Sequence, residues 1–124
     1  MNKDPNCIFC KIIAKEIPAT ILFENENLIV LQDIKPSAPI HHLVIPRDHI
    51  QSVAHLEEKN KDLIGEIFLI ANEDANKVGL KGYKTVFNVG RDGGQVIDHL
   101  HLHLLGGWSK REDIEKMPSP KLDK

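Results

Sequence analysis

Histidine and leucine alternate over residues 99–105, which read His-Leu-His-Leu-His-Leu-Leu. Successive side chains of an extended strand point to opposite faces, so His99, His101 and His103 share one face and the leucines share the other. We therefore predict a strand with an apolar face toward the core and an imidazole face beside it. Because imidazole has an unperturbed pKa of about 6.5, it can act near neutral pH as an acid, a base, a nucleophile or a metal ligand. Three such groups in a row predict a functional site.

The size and charge of the chain limit what this site can bind. With 124 residues, of which 41% are hydrophobic, we expect one domain with a real core. A formal net charge of -2 with scattered signs gives no basic footprint for a nucleic-acid polymer, so any nucleotide partner is expected to be small. The chain shows no long apolar run and no apolar N-terminal leader, which predicts a cytoplasmic protein that does not contact a membrane.

Hydrophobic periodicity and turn residues predict the order of the elements. Asn6 is the expected N-cap of a short helix over residues 7–13, and apolar residues at helical spacing predict a long helix over 59–78. Strands are expected over 20–24, 28–32, 41–45 and 84–88, before the histidine strand. Residues 108–124 are polar and contain proline, and we expect a tail with weak order of its own.

Three further motifs accompany the histidine strand. His41 and His42 begin the run His-His-Leu-Val-Ile-Pro, Asn88 follows a predicted strand, and Gly93-Gly94-Gln95 lies just before the histidines. This order resembles the histidine triad (HIT) family, and most closely its branch of nucleotide-binding nucleoside phosphoramidate hydrolases. The resemblance covers residues 7–107, which indicates a HIT domain over 1–107 and a tail over 108–124. It implies an α+β fold, a five-stranded antiparallel sheet with one short and one long helix, and a homodimer with a continuous sheet.

The chemistry of nucleotidyl transfer also fits the histidines. It needs an in-line nucleophile and donors around the phosphate oxygens. We predict that His101 attacks the α-phosphorus of a purine nucleoside 5′-monophosphoramidate through one ring nitrogen, while its other nitrogen donates to an acceptor that fixes the tautomer. His103 is expected to hold phosphate oxygens. The resemblance implies that His41 supports the phosphate and the nucleophile from the neighbouring strand. Further phosphate contacts are expected from Asn88 and the backbone of Gly94, Gln95 and Val96, with AMP or GMP as the product.

The rest of the nucleotide has candidate contacts as well. Asp33 follows a predicted strand, where a carboxylate can accept two hydrogen bonds from ribose hydroxyls, and it matches the family's ribose position. Val96 stands where relatives often carry a serine that hydrogen-bonds near the scissile bond, which leaves the leaving-group preference open. Four apolar residues match positions that enclose the base in relatives, although ordinary core packing explains them equally well: Phe9, Ile17, Leu31 and Leu43.

The cysteines are the other candidate site. Cys7 and Cys10 are the chain's only cysteines, and a Cys-x-x-Cys pair in a reducing compartment is more often a metal or redox element than a disulfide. By resemblance to relatives with this pair, His49 and His99 complete a structural Zn²⁺ site. The alternative is two reduced, buried cysteines.

Two further histidines have no expected role in the site, and two other functions compete with nucleotide hydrolysis. His42 is expected to be a solvated or packed side chain, and His55 a surface residue. One competing function is a zinc hydrolase whose metal is held by the three alternating histidines, although their span makes tetrahedral ligation awkward. The other is a nucleotide-binding scaffold with little turnover. This function stays open because Val96 stands where relatives often carry a serine.

Overall fold

The strands of the described residues form one sheet in the spatial order Ile21–Glu24, Leu28–Gln32, Ile40–Pro46, Leu102–Gly106 and Lys84–Val86, and every neighbouring pair is antiparallel. The computed structural model describes residues 2–109. The strands are β1 (Ile21–Glu24), β2 (Leu28–Gln32), β3 (Ile40–Pro46), β4 (Lys84–Val86) and β5 (Leu102–Gly106), and the helices are α1 (Ile8–Ile13) and α2 (Lys61–Lys77). Short 3₁₀ turns lie at Val53–His55, Glu58–Asn60 and Arg91–Gly93. The predicted α+β class with a five-stranded antiparallel sheet is confirmed.

The sheet separates two apolar cores, because side chains of its central strands alternate between the faces. In β2, Ile29 and Leu31 pack with α1, whereas Leu28 and Val30 pack with α2. These four residues are at most 3% exposed, which explains why β2 reads as a continuous apolar run. The short helix therefore covers one face of the sheet and the long helix covers the other.

The histidine strand is shorter than predicted. β5 begins at Leu102, because its ladder with β3 starts where Leu102 pairs with Val44. The preceding backbone leaves the ladder, and the N–H of Leu100 donates to the carbonyl of Ile50 instead. The predicted alternation nevertheless holds: Leu100 and Leu102 pack in the α2 core, while His101 contacts Phe9 of α1 on the other face.

The helix boundaries differ slightly from the prediction. Cys7, not Asn6, is the N-cap of α1, because its sulfur accepts the backbone N–H of Cys10. The residues before α2 form a 3₁₀ turn, so the helix starts at Lys61 and not at residue 59. Among residues 2–109, no helix combines the length and the apolar character needed to cross a bilayer. The expected tail falls almost entirely outside these residues.

Candidate active site and metal centre

A pocket of about 410 Å³ opens on the α1 face of the sheet. Its walls come from α1, from the ends of β2 and β3 and from the loop after Asp33, and His101 and His103 lie on its surface. All four predicted base-enclosing residues line it: Phe9, Ile17, Leu31 and Leu43. Three of these residues also belong to the buried core on this face, so core packing does not exclude a position in the pocket wall.

The hydrogen bond of His101 determines which ring nitrogen is free. Its Nδ1 lies 2.6 Å from the carbonyl oxygen of His99, and a carbonyl can only accept, so Nδ1 carries the proton. Burial lowers the pKa of His101 below its ordinary value of 6.5. This hydrogen bond and the charge of Asp33 raise the pKa, but by less than burial lowers it. The ring is therefore neutral near pH 7, and its Nε2 carries a lone pair.

His41 and His103 form a contact beside this nucleophile. They are diagonal neighbours on one face of the β3–β5 ladder, and His41 Nε2 lies 2.9 Å from His103 Nδ1. Burial lowers the pKa of His41, partly offset by the charge of Asp33. Burial, followed by the neighbouring His101 and His41, lowers the pKa of His103 to about 4. Both rings are neutral at pH 7 and can act as hydrogen-bond donors and acceptors.

Asp33 lies at the pocket edge, immediately after β2. One carboxylate oxygen accepts the backbone N–H of Lys35 at 2.8 Å, and the other lies 3.4 Å from His41 Nε2. Each oxygen keeps a further lone pair, so the carboxylate can still accept two hydrogen bonds from a ligand.

The glycine-rich loop presents fewer free donors than its sequence predicted. The Asn88 side chain donates to the carbonyl of Gly93, and the backbone N–H groups of Gly94 and Gln95 donate within the turn to Arg91 and Gly90. The buried Gln95 side chain bonds to the backbone of residues 51, 90 and 97. Because Asn88 uses one of its two amide hydrogens in this bond, its second hydrogen and the backbone N–H of Val96 are the remaining candidates from this set for a phosphate contact. Val96 lines the pocket and is 80% exposed.

The predicted metal ligands lie together at the N-terminal end of α1. One donor atom from each of Cys7, Cys10, His49 and His99 lies within 4.8 Å of all the others. Three of the four sulfur-to-nitrogen distances are 3.3, 3.4 and 3.6 Å, and the two Nδ1 atoms are 3.1 Å apart. Ideal tetrahedral sites with zinc-type bond lengths have S–N edges of about 3.6 Å and N–N edges of about 3.3 Å. The donor set therefore fits a tetrahedral metal ion.

The surroundings of His99 favour ligation too. Its Nε2 donates to the carbonyl oxygen of Pro46 at 2.8 Å, which leaves the Nδ1 lone pair directed at the sulfurs. Such a backbone acceptor is the usual partner of a metal-bound imidazole. Burial lowers the pKa of His99 to about 4. Burial raises the pKa of the Cys7 thiol, with a further contribution from the Cys10 side chain and against the opposing hydrogen bond from the Cys10 backbone N–H. In the absence of a metal, Cys7 is therefore a neutral thiol that must lose its proton to ligate.

A second group of donor atoms is unsuited to a metal. Asp33, His41 and His103 also lie within 4.8 Å of one another. However, the backbone N–H of Ser37 donates to His41 Nδ1 at 2.9 Å, so the single proton of the neutral ring resides on Nε2. A metal at Nε2 would require an imidazolate, and we interpret this group as a hydrogen-bonded array.

The two remaining histidines lie away from the pocket. His42 faces α2, where its Nδ1 lies 2.5 Å from Asp74 Oδ2, and both residues are buried. Of the two expected positions, solvated or packed, the structure shows the packed one, and Asp74 on the apolar face of α2 was the sequence signal for a partner. His55 is exposed, as predicted. Ser37 and Pro46 were not predicted, because they act through backbone atoms that no residue type reveals.

Comparisons with known proteins agree with this geometry. The family model described as "Scavenger mRNA decapping enzyme C-term binding" matches residues 6–116. Protein HitA of Neisseria gonorrhoeae is 46% identical over 102 residues, which cover 82% of this chain and 95% of that protein. The structure of a HIT family hydrolase from Legionella pneumophila has a TM-score of 0.82 at 45% identity, covering 84% of this chain and 95% of its own.

A zinc-containing relative is also similar. The crystal structure of a Zn-bound histidine triad family protein from Mycobacterium smegmatis has a TM-score of 0.75 at 25% identity. The match covers 86% of this chain and 78% of the chain of that relative.

Proposed function

Since this chain belongs to the histidine triad (HIT) family of hydrolases and nucleotide-binding proteins, we propose that it hydrolyses the P–N bond of purine nucleoside 5′-monophosphoramidates. The observation that carries the proposal is the neutral His101, whose Nδ1–H is held by the His99 carbonyl while its Nε2 lone pair is free beside the pocket. This is the arrangement that a nucleophilic imidazole requires.

The proposed reaction has two steps. In the first, Nε2 of His101 forms a bond to the α-phosphorus, the P–N bond to the amine breaks, and the departing nitrogen takes a proton from water. The nucleotidyl-imidazolium that results keeps its Nδ1–H, and the His99 carbonyl stabilises the positive charge. In the second step a water molecule attacks phosphorus, the bond to Nε2 breaks, and the water releases a proton as the nucleoside monophosphate forms.

In this proposal the nucleotide occupies the pocket, and its base lies among the four apolar residues Phe9, Ile17, Leu31 and Leu43. The Asp33 carboxylate accepts from the ribose hydroxyls, and His103 together with the Val96 amide donates to phosphate oxygens. Asn88 and Gln95 hold the loop that carries this amide. Since Val96 offers the leaving amine no side-chain hydrogen bond, we expect the rate of hydrolysis to depend little on polar groups in that amine.

We further propose that Cys7, Cys10, His49 and His99 bind one structural Zn²⁺ per chain. Support comes from the tetrahedral spacing of the four donors and from the zinc-bound relative. The metal would cross-link the start of α1 to the backbone that supplies the His99 carbonyl, and it would stabilise the fold. The residues of the chemical steps lie outside this set, apart from that carbonyl.

A homodimer with a continuous sheet is the proposed assembly. β4 is an edge strand of the sheet, so its outer backbone groups can pair with a second copy. Large apolar side chains are also exposed on α2 and near β4: Phe68, Leu69, Tyr83 and Val89. Light scattering coupled to size-exclusion chromatography tests this proposal, and a monomeric mass across the micromolar range would refute it.

Trapping the nucleotidyl-enzyme tests the function. Protein is mixed with adenosine 5′-phosphoramidate, quenched in acid-free denaturant within milliseconds and weighed by intact mass spectrometry. We expect an adenylyl adduct on the unmodified protein and on the control His55→Ala, whose exposed ring lies outside the pocket. His101→Ala should form no adduct and lose turnover, but it should still bind AMP. Undiminished turnover in His101→Ala would refute the mechanism.

The competing functions have distinguishable outcomes. AMP binding with neither adduct nor turnover would favour a nucleotide-binding scaffold. The geometry counts against a zinc hydrolase built on the three alternating histidines, since His99 faces the cysteines while His101 Nδ1 is bonded to a carbonyl. Turnover that survives chelation would count against it independently.

A further inference from the structure

A single backbone N–H from the loop between β2 and β3 contacts the hydrogen-bonded array of Asp33, His41 and His103. The N–H of Ser37 lies 2.9 Å from Nδ1 of His41. Ser37 stands between Pro36 and Pro39, which have no N–H and restrict the backbone of the loop. Its side chain is exposed, so the contact with His41 is made by the backbone alone.

We propose that Ser37 is a positioning residue whose backbone N–H sets the direction of the His41–His103 hydrogen bond, so that His103 presents an N–H and not a lone pair to the phosphate. This inference rests on the proposed function for its consequence, but its structural part can be measured separately.

The argument starts from the single proton of a neutral imidazole. A backbone N–H only donates, so Nδ1 of His41 must accept, and the ring proton resides on Nε2. The Asp33 carboxylate, 3.4 Å from Nε2, favours the same tautomer. His41 is 5% exposed, which keeps water from competing for these positions.

The tautomer of His41 then determines that of His103. Nε2–H of His41 donates across 2.9 Å to Nδ1 of His103, which must accept. The proton of His103 therefore resides on its Nε2, the ring nitrogen that is free to contact a ligand in the pocket. With the opposite direction, His103 Nδ1–H would donate to His41, and a lone pair on His103 Nε2 would repel an anionic phosphate. One amide group thus determines whether His103 attracts or repels the substrate.

Two variants isolate the N–H from the side chain. Ser37→Ala keeps the amide and removes the hydroxyl. The same alanine variant with an ester replacing the amide at position 37, made by semisynthesis, differs from it in one N–H. Ser37→Pro is the genetic counterpart and also lacks this donor.

Imidazole ¹⁵N–¹H correlation spectra at pH 7.5 report the tautomers. We expect Nε2–H for His41 and His103 in the unmodified protein and in Ser37→Ala, and an increased Nδ1–H population in both rings of the ester variant. An Nδ1–H tautomer of His41 in the unmodified protein would overturn the inference, as would unchanged spectra in the ester. These results stand even if Ser37→Pro does not fold.

Kinetics measure the consequence. For adenosine 5′-phosphoramidate we expect kcat/KM of the ester variant to fall on the order of tenfold, less than the 10²–10³ that removal of a whole oxyanion donor costs in kcat. KM should rise, because the anionic phosphate of the bound substrate also faces the His103 lone pair. An equal loss in Ser37→Ala would contradict the assignment to the N–H. If no form of the protein hydrolyses phosphoramidates, the proposed function fails, while the spectra still decide the tautomer inference.

Discussion

Removing the carboxylate of Asp74 should destabilise this protein more than most single substitutions. His42 and Asp74 join the central strand β3 to α2, and each is 7% exposed. Truncating one member of a buried, hydrogen-bonded pair leaves the other without a partner, which typically costs about 3–5 kcal/mol. Asp74→Ala is expected to lower the free energy of unfolding by this amount.

The size of the expected thermal shift follows from the chain length. Unfolding entropies scale with the number of residues, so for 124 residues each kcal/mol corresponds to about 4 °C, and Tm should fall by roughly 12–20 °C. Asp74→Asn keeps an oxygen that can accept from His42, and it should lose about 1–3 kcal/mol. Replacing both partners, His42→Phe with Asp74→Leu, should restore most of the stability, because a well-packed apolar pair avoids the desolvation cost.

Urea unfolding followed by circular dichroism, at one fixed protein concentration, measures these differences. Glu73→Ala is the matched control, because Glu73 is the exposed neighbour of Asp74 on the same helix. Turnover at 20 °C should be retained by every folded variant, since the pair lies on the face opposite the pocket. An Asp74→Ala protein as stable as the Glu73→Ala control would refute the reasoning.

Three further predictions concern the two candidate sites. Cys7→Ser with Cys10→Ser should reduce bound zinc from one per chain to none by elemental analysis and lower Tm; metal-free unmodified protein, purified without chelator, would contradict the zinc proposal. Asp33→Ala should lower kcat/KM for the ribonucleotide substrate. It should also erase most of the preference for adenosine over 2′-deoxyadenosine phosphoramidate, which charge-assisted hydrogen bonds put at roughly tenfold to hundredfold in kcat/KM. Equal values for the two sugars in the unmodified enzyme would remove Asp33 from the ribose site. Because the pKa of His103 is lowered to about 4 in the fold, the unfolded chain binds its proton first as the pH falls, so the free energy of unfolding should decrease from pH 6.5 toward 4. Urea midpoints at pH 7 and 5 check this, and His103→Gln should show a smaller decrease than the unmodified protein.

The sequence by itself, through its motifs and the family that they resemble, was enough to predict the class of fold and to name candidate residues that the structure brings together in two clusters. The alternation of His99, His101 and His103 with leucines specifies two faces wherever the backbone is extended, and this held even outside the β5 ladder. Runs of apolar and β-branched residues predicted the other four strands, most clearly β2 and β3, because burial on both faces of these two strands requires apolar side chains. Cys7 and Cys10 were identifiable as metal-binding candidates because a Cys-x-x-Cys pair is chemically distinctive, whereas His49 and His99 were named through the family resemblance.

Only the tertiary structure decided how these groups are connected. The free nitrogen of His101 depends on the carbonyl of His99, and the tautomer of His41 depends on the N–H of Ser37. Backbone groups are common to every residue type except the N–H of proline, so residue identity carries no trace of these contacts. The same limit explains why Gly94 and Gln95 were expected to offer their amides to phosphate: the turn that uses those amides is formed by φ values and distances, which the chain acquires only on folding.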